Sequence, residues 1–144
     1  MKIRLAIVLM LAMLPLSLLS ATPAANVAGS WKVDATAANG STWSLGGLSG
    51  TLTLEQKGDA VTGSWQGRQP KAWALTGRVT GTDFEFETEV RDIPATRNGE
   101  EITVPRRWIF RGTMDGDTLS GSMSLAGGDG DTPTQPFWAT RRPQ

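Results

Sequence analysis

Apolar and polar residues alternate along most of this chain in short runs, and no apolar pattern of helical period persists for several turns. Strict alternation is typical of strands that bury one face and expose the other. The runs cover residues 30–35, 52–56, 61–65, 73–79, 84–90, 106–112, 118–125 and 136–142. The pattern therefore predicts an all-β chain with eight strands.

Most of these runs are joined by tight turns. Gly58 and Asp59 follow the second run, and the pair Asp115-Gly116 after the sixth run is a strong hairpin signal. Strands joined in this way form an antiparallel meander, and closing the meander into a barrel removes the exposed edges of the sheet. We therefore predict an eight-stranded antiparallel up-and-down β-barrel with three longer connections, residues 36–47, 92–104 and 126–136.

Glycine recurs inside the predicted strands, at Gly63, Gly77 and Gly121. Glycine within a strand permits the tight coiling that a small barrel requires. An eight-stranded barrel has an interior just wide enough for packed side chains or for one small ligand. Both a filled core and a ligand cavity are compatible with this pattern.

The first residues form a separate segment. Lys2 and Arg4 precede an apolar run over residues 5–19 that contains Pro15 and ends in small residues. This is the order of a secretory signal peptide, and the run is shorter than the roughly 20 apolar residues of a membrane-spanning helix. We therefore expect export to the periplasm or the extracellular space of a bacterium, without a membrane anchor.

Small residues place the expected cleavage site. Cleavage after Ala21 is preferred, and Ala24 and Ala25 are alternatives. The predicted organisation is a signal peptide over residues 1–21, a short N-terminal arm over 22–28 and a barrel domain over 29–142.

Composition limits the chemistry. The chain has 14 basic and 14 acidic residues without a basic cluster, so we expect no nucleic-acid partner. It contains no His and no Cys, which removes the usual catalytic bases, thiol nucleophiles and most transition-metal ligands. No disulfide can form, so the core must stabilise the fold alone. We assign no catalytic residue, no metal site and no cofactor.

Two acidic stretches could suggest a catalytic site or a calcium site. Glu85, Glu87 and Glu89 alternate along one run and invite a paired-carboxylate interpretation. We favour surface ion pairs with Arg107 and Arg111 on the following strand. Residues 127–131, GGDGD, lack the closing Glu of a calcium loop and indicate a turn.

The first and the last predicted strands carry a combination of residues that is known from other barrel proteins. Gly29 and Trp31 form a Gly-x-Trp at the first strand, and the last strand ends in Arg141 and Arg142. Together with residues 61–65, VTGSW, these features resemble the calycin-type barrels, which include lipocalins, fatty-acid-binding proteins and avidins. The resemblance implies that an arginine packs across Trp31 at the closed end of the barrel. Alternation leaves open which arginine does so.

The resemblance also bears on the ligand. An avidin-type biotin site depends on a tyrosine, and this chain has none. We therefore expect an apolar or amphipathic small molecule other than biotin, in a barrel lined by aromatic side chains. Trp43, in the first long connection, is the predicted lid. The other predicted ligand-binding residues would face the interior: Trp65, Trp73, Phe84, Phe86, Trp108 and Phe110.

Two further functions stay open at this point. Secreted bacterial metalloprotease inhibitors resemble this chain in size, export and Gly-x-Trp barrel, and the arm over residues 22–28 would then enter the protease. A barrel can also catalyse a cyclisation or isomerisation by the shape of its cavity, which leaves no motif. The sequence favours ligand binding over both, because it offers many inward aromatics and no catalytic set.

Overall fold

The computed structural model describes residues 23–34, 49–128 and 134–144. Within these ranges the chain forms nine strands: β1 (Gly29–Asp34), β2 (Ser49–Lys57), β3 (Ala60–Gln66), β4 (Trp73–Thr80), β5 (Asp83–Thr88), β6 (Arg91–Arg97), β7 (Glu100–Asp115), β8 (Thr118–Ala126) and β9 (Gln135–Arg141). The same ranges hold no helix of the length and apolarity needed to cross a bilayer.

Eight of these strands close into a barrel. The sheet runs in the order β5, β4, β3, β2, β1, β9, β8, β7, and the pairing of β5 with β7 closes it. All of the pairings are antiparallel. Strand β7 joins the barrel only with its second half, which begins at Arg107. The predicted eight-stranded antiparallel barrel is confirmed.

The first half of β7 forms a hairpin with β6, where the sequence analysis predicted a connection over residues 92–104. That prediction is wrong, because β6 pairs with β7 along its whole length. Asn98 and Gly99 form the turn with φ angles of 51° and 80°. Positive φ at both central residues is typical of the two-residue hairpin turn that Asn-Gly favours.

Two prolines account for the missed hairpin. Pro94 lies opposite Thr103, and Pro105 lies opposite Asp92. Every second residue of an antiparallel pair turns its N–H away from the partner strand. Proline at such positions leaves the hairpin ladder intact and removes donors from its outer edges, which protects those edges against pairing with another chain.

Inward-facing aromatic side chains fill most of the barrel. Trp65 meets Trp108 and Phe110 edge to face, with ring centroids 6.4 and 5.4 Å apart. Phe84 stacks on Phe86 at 4.8 Å. All of them are buried, so the predicted convergence of these rings in the interior is confirmed.

Strand β5 ends earlier than predicted. Val90 was expected to face the interior, but its side chain is 59% exposed. The last inward residue is Thr88, whose hydroxyl accepts a hydrogen bond from the Trp108 N–H at 2.8 Å and donates to the Glu89 carbonyl at 3.1 Å. The side chain of Thr88 therefore supports β7 at the point where that strand leaves the barrel.

Two of the predicted strand glycines lie where strands approach most closely. A Cβ on Gly63 would lie 1.9 Å from the carbonyl oxygen of Thr53, and a Cβ on Gly121 would lie 1.9 Å from that of Arg111. No side chain fits at such distances. Glycine at these two positions therefore permits the close approach of the paired strands.

Trp31 closes one end of the barrel. The indole is fully buried, and its Nε1–H donates to the carbonyl of Val27 at 2.8 Å. The guanidinium of Arg141 lies 4.3 Å from the ring centroid. Of the two candidate arginines, Arg141 therefore covers Trp31, whereas Arg142 donates to the hydroxyl of Thr51 at 3.2 Å.

Residues 23–28 run across this closed end. Val27 is fully buried, and its N–H donates to Gln56 Oε1 at 2.8 Å. The N–H of Ala25 donates to the carbonyl of Gly81 at 2.7 Å. Arg141 donates to two further carbonyls of the segment. The described part of the N-terminal arm is therefore packed against the barrel.

Candidate ligand-binding site

The opposite end of the barrel contains a cavity. Trp65 near the end of β3 pairs with Trp73 at the start of β4, and Trp108 lies where β7 enters the barrel. A cavity of about 230 Å³ lies against these three indoles. Its remaining lining comes from Gly67, Arg68, Gln69 and Leu125. Among the described residues, this end of the barrel, hereafter the open end, therefore combines an apolar wall with a polar border.

The volume limits what the cavity can hold. Sites for drug-sized ligands range over about 300–1,000 Å³. At about 230 Å³ this cavity suits a smaller molecule, or one whose polar end stays in solvent. One water needs only about 10–15 Å³ of such space, so the cavity is far larger than a packing defect.

Arg91 fixes one wall of the cavity. Its guanidinium carbon lies 4.4 Å from the ring centroid of Trp73. Its Nη1 donates to the carbonyl of Lys71 at 3.0 Å, and its Nη2 donates to the carbonyl of Ala72. One side chain of β6 therefore holds the connection between β3 and β4 and stacks on the indole.

Glu89 in turn orients Arg91. The Arg91 Nε–H donates to Glu89 Oε1 at 2.9 Å, and the Ala74 N–H donates to the same oxygen at 3.3 Å. The hydrogen bond from Arg91, followed by that from Ala74, lowers the pKa of the Glu89 carboxyl below its ordinary value of 4.5. The carboxylate is exposed, so solvent screens the pair, and its main effect is on the position of Arg91.

A buried amide also lies on the inward face. Gln135 begins β9 on the side that it shares with Phe137 and Ala139, and it is 4% exposed. Its Nε2 has no hydrogen-bond partner in the part of the chain that the structure describes. Buried amide N–H groups are almost always paired in proteins. Gln135 is not among the residues that line the cavity, so this donor lies behind the cavity wall.

The predicted ligand-binding residues fall into separate groups. The three tryptophans of β3, β4 and β7 line the cavity. The three phenylalanines belong to the packed core: Phe84, Phe86 and Phe110. Trp43, the predicted lid, lies outside the described residues. The aromatic wall at the open end therefore contains three of the six predicted residues that the structure describes.

The row of glutamates lies on the outside of the barrel. Arg111 Nη2 is 3.3 Å from Glu85 Oε1, and Arg107 Nη1 is 3.7 Å from Glu87 Oε2. These side chains are solvent-exposed, which confirms the interpretation as surface ion pairs. Such pairs contribute about 0–1 kcal/mol each. In the described ranges, no group of three or more acidic side chains is placed to hold a metal ion.

A wider hollow lies on the outer surface of β4 and β5. Its volume is about 590 Å³, and Arg78, Asp83 and Glu85 are among the residues that line it. Most of its lining side chains are exposed and charged or hydroxylated. Ligand sites are typically enclosed and apolar, so the smaller interior cavity is the better candidate.

Sequence reasoning missed the polar residues of the open end. Arg68 and Gln69 lie in a connection without periodicity, and Arg91 begins the strand that was predicted as a loop. Gln135 did carry a signal, because it continues the inward alternation of Phe137 and Ala139 by one step. Extending the last predicted strand backwards by one residue would have identified it.

No protein-family model, no curated protein and no solved structure matches this chain.

Proposed function

We propose that this protein is an exported, calycin-like barrel that binds a small apolar or amphipathic molecule at its open end. The observation that supports the proposal is the cavity of about 230 Å³ against Trp65, Trp73 and Trp108. Indole rings are rigid and apolar, and Trp108, which is 7% exposed, presents more of its ring to the cavity than the 1–2% exposed Trp65 and Trp73 do. The packing of Arg141 on Trp31 supports the calycin-like assignment, because the resemblance implies this contact.

The proposed location follows from the leader. A basic start and a short apolar run over residues 5–19 direct a chain to export, and the signal peptide over residues 1–21 is then removed. The barrel would act in the periplasm or outside the cell. Its ligand would be a molecule that is present there.

Inhibition of a secreted metalloprotease stays an alternative prediction. Such an inhibitor would need its arm, residues 22–28, to enter the cleft of the protease. The burial of Val27 and the hydrogen bond of Ala25 to Gly81 do not favour this function, because both contacts hold the arm on the barrel. A cyclase or isomerase would use the same cavity, and turnover of a bound compound would reveal it.

The proposal is tested by filling the cavity. Leu125 lines it and is half-buried, so Leu125→Phe places a larger side chain at the cavity wall. We expect the free energy of unfolding to change by less than about 1.5 kcal/mol, because the added volume enters open space. Ligand binding should be lost. Met114→Phe is the matched control, since Met114 is half-buried on β7 at the opposite end of the barrel.

The readout is tryptophan emission during titration with small aromatic acids, terpenoids and short fatty acids. A background with Trp138→Phe removes the 40% exposed indole of β9 and keeps Trp43, the predicted lid. We expect a shift or quench, with a raised melting temperature, in this background and in its Met114→Phe form. An equal response in the Leu125→Phe form, or no response to any compound, would refute the proposal.

A further inference from the structure

A cation borders the open-end cavity. Arg68 lies in the connection between β3 and β4 and contributes to the lining beside Trp65 and Trp73. Its side chain is exposed. Arg91 and Arg107 each pair with a glutamate, whereas the ion pairs found in the described ranges do not include Arg68. Within the described ranges the Arg68 guanidinium therefore has no ion-pair partner, and we take it as the group that binds an anion.

The chemistry of the cavity has two parts. The indoles of Trp65, Trp73 and Trp108 provide an apolar surface, and Arg68 provides several N–H donors at its border. A planar guanidinium matches a carboxylate with two parallel hydrogen bonds. A molecule with an apolar body and a carboxylate at one end would satisfy both parts at once.

A second donor lies at this end of the barrel. Gln135 Nε2 is buried without a partner among the described residues. Gln135 lies opposite Met123 of β8, and the next inward residue of β8, Leu125, lines the cavity. A buried N–H requires an acceptor. Arg68 lines the cavity and therefore favours a ligand that carries acceptor oxygens, whereas Gln135 is a buried donor at the same end of the barrel.

We infer that the ligand of this cavity is a small ring-containing carboxylate, whose apolar body lies against the three indoles and whose carboxylate binds Arg68. This inference rests on the proposed function and adds the charge of the ligand to it. It also gives Arg68 a role in selecting between ligands. An uncharged molecule of the same shape would fill the apolar part and leave the guanidinium in water.

The test compares two probes that differ in one group, naphthalene-2-carboxylate and naphthalene-2-carboxamide. Calorimetric titration of the full mature chain should give about tenfold tighter binding of the carboxylate, since a charge-assisted hydrogen bond is about twice as strong as a neutral one. Added salt should weaken the binding of the carboxylate and leave the binding of the carboxamide unchanged. Arg68→Gln should remove the difference, and Arg68→Glu should reverse it.

Arg78→Gln is the matched control. Arg78 is an exposed arginine on the outside of β4, away from the cavity, and its replacement should leave both affinities unchanged. Equal binding of the two probes to the unaltered protein would overturn the inference about charge while leaving the cavity proposal standing. A carboxylate preference that persists in Arg68→Gln would overturn the role of Arg68. Failure of both probes to bind would count against the proposed function itself.

Discussion

At the scale of single residues, the two ends of the barrel use the same type of contact. Arg141 stacks on Trp31 at 4.3 Å, and Arg91 stacks on Trp73 at 4.4 Å. Each guanidinium also donates to carbonyls of a segment outside the strands that carry the indole. Each arginine therefore fixes a segment over a buried ring, the N-terminal arm at one end and the β3–β4 connection at the other.

Trp31→Ala should lower the free energy of unfolding by about 3–5 kcal/mol, the usual cost of removing a buried aromatic side chain. The indole is fully buried and bonded to Val27, so its loss leaves a cavity and an unpaired carbonyl. Denaturant titration measures the change. Trp138→Ala, on the outer face of β9, is the control and should cost less than about 1 kcal/mol. A similarly small loss for Trp31→Ala would contradict the account.

The Glu89 carboxylate makes a small, pH-dependent contribution to the stability of the folded protein. The hydrogen bond from Arg91 lowers the pKa of Glu89 in the folded state, so its contribution is complete above pH 4.5 and is lost as the pH falls through the lower folded value. Between pH about 6 and about 3, the melting temperature of the unaltered protein should therefore fall more than that of Glu89→Gln. Glu55→Gln, on the exposed face of β2, controls for the loss of charge. Parallel curves for Glu89→Gln and the unaltered protein would show that the contact with Arg91 does not contribute.

The alternation of apolar and polar residues predicts which side chains are buried better than it predicts which side chains contact each other. Alternation correctly gives the inward positions of Trp31, Trp65 and Trp73. It could not choose between Arg141 and Arg142, because that choice depends on how β9 and the N-terminal arm meet in space. The contact between Arg91 and Trp73 could not be predicted either, since Arg91 begins β6, a strand that the alternation pattern did not indicate.

At the scale of elements, the barrel and the β6–β7 hairpin are separable. The barrel is closed by the pairing of β5 with the second half of β7, and the hairpin uses only the first half. The sequence predicts the barrel strands because each buries one face. It did not predict the hairpin because most of that hairpin is exposed and both of its edges carry proline, so neither burial nor composition indicated strands.

Shortening the hairpin should leave the barrel intact. Replacing residues 96–101 by Asn-Gly keeps Ala95 opposite Ile102, a position that hydrogen-bonds across the pair and accepts a two-residue turn. We expect a change of less than about 1 kcal/mol in denaturant titration. Ile109→Pro, where β7 pairs with both β5 and β8, should lower the free energy of unfolding by more than the shortening does, because proline removes a ladder hydrogen bond in the middle of the sheet. Unfolding of the shortened form would show that the hairpin is part of the barrel's cooperative unit.

At the scale of the whole molecule, the segment that follows the predicted signal peptide packs on the closed end of the barrel. Its contacts therefore bear on where the signal peptide is cleaved. The N–H of Ala25 donates to Gly81, and the carbonyl of Ala25 accepts from Gln56 Nε2 at 2.9 Å. Cleavage after Ala25 would remove both contacts, whereas cleavage after Ala21 preserves them. On N-terminal sequencing, the exported protein should therefore begin at Thr22 or Ala25, because cleavage after Ala24 also keeps both contacts. A stable exported chain that begins at Asn26 would contradict the structural role of this segment.

The most direct test of the central claim is native mass spectrometry of the protein isolated from the cell envelope of its own host. If the open-end cavity binds a small molecule, the folded chain carries an added mass that dissociates on denaturation. Leu125→Phe, prepared in the same way, should lack this mass, and Met114→Phe should retain it. An unaltered protein that shows only the mass of its own chain, or an added mass equally present in Leu125→Phe, would contradict the account.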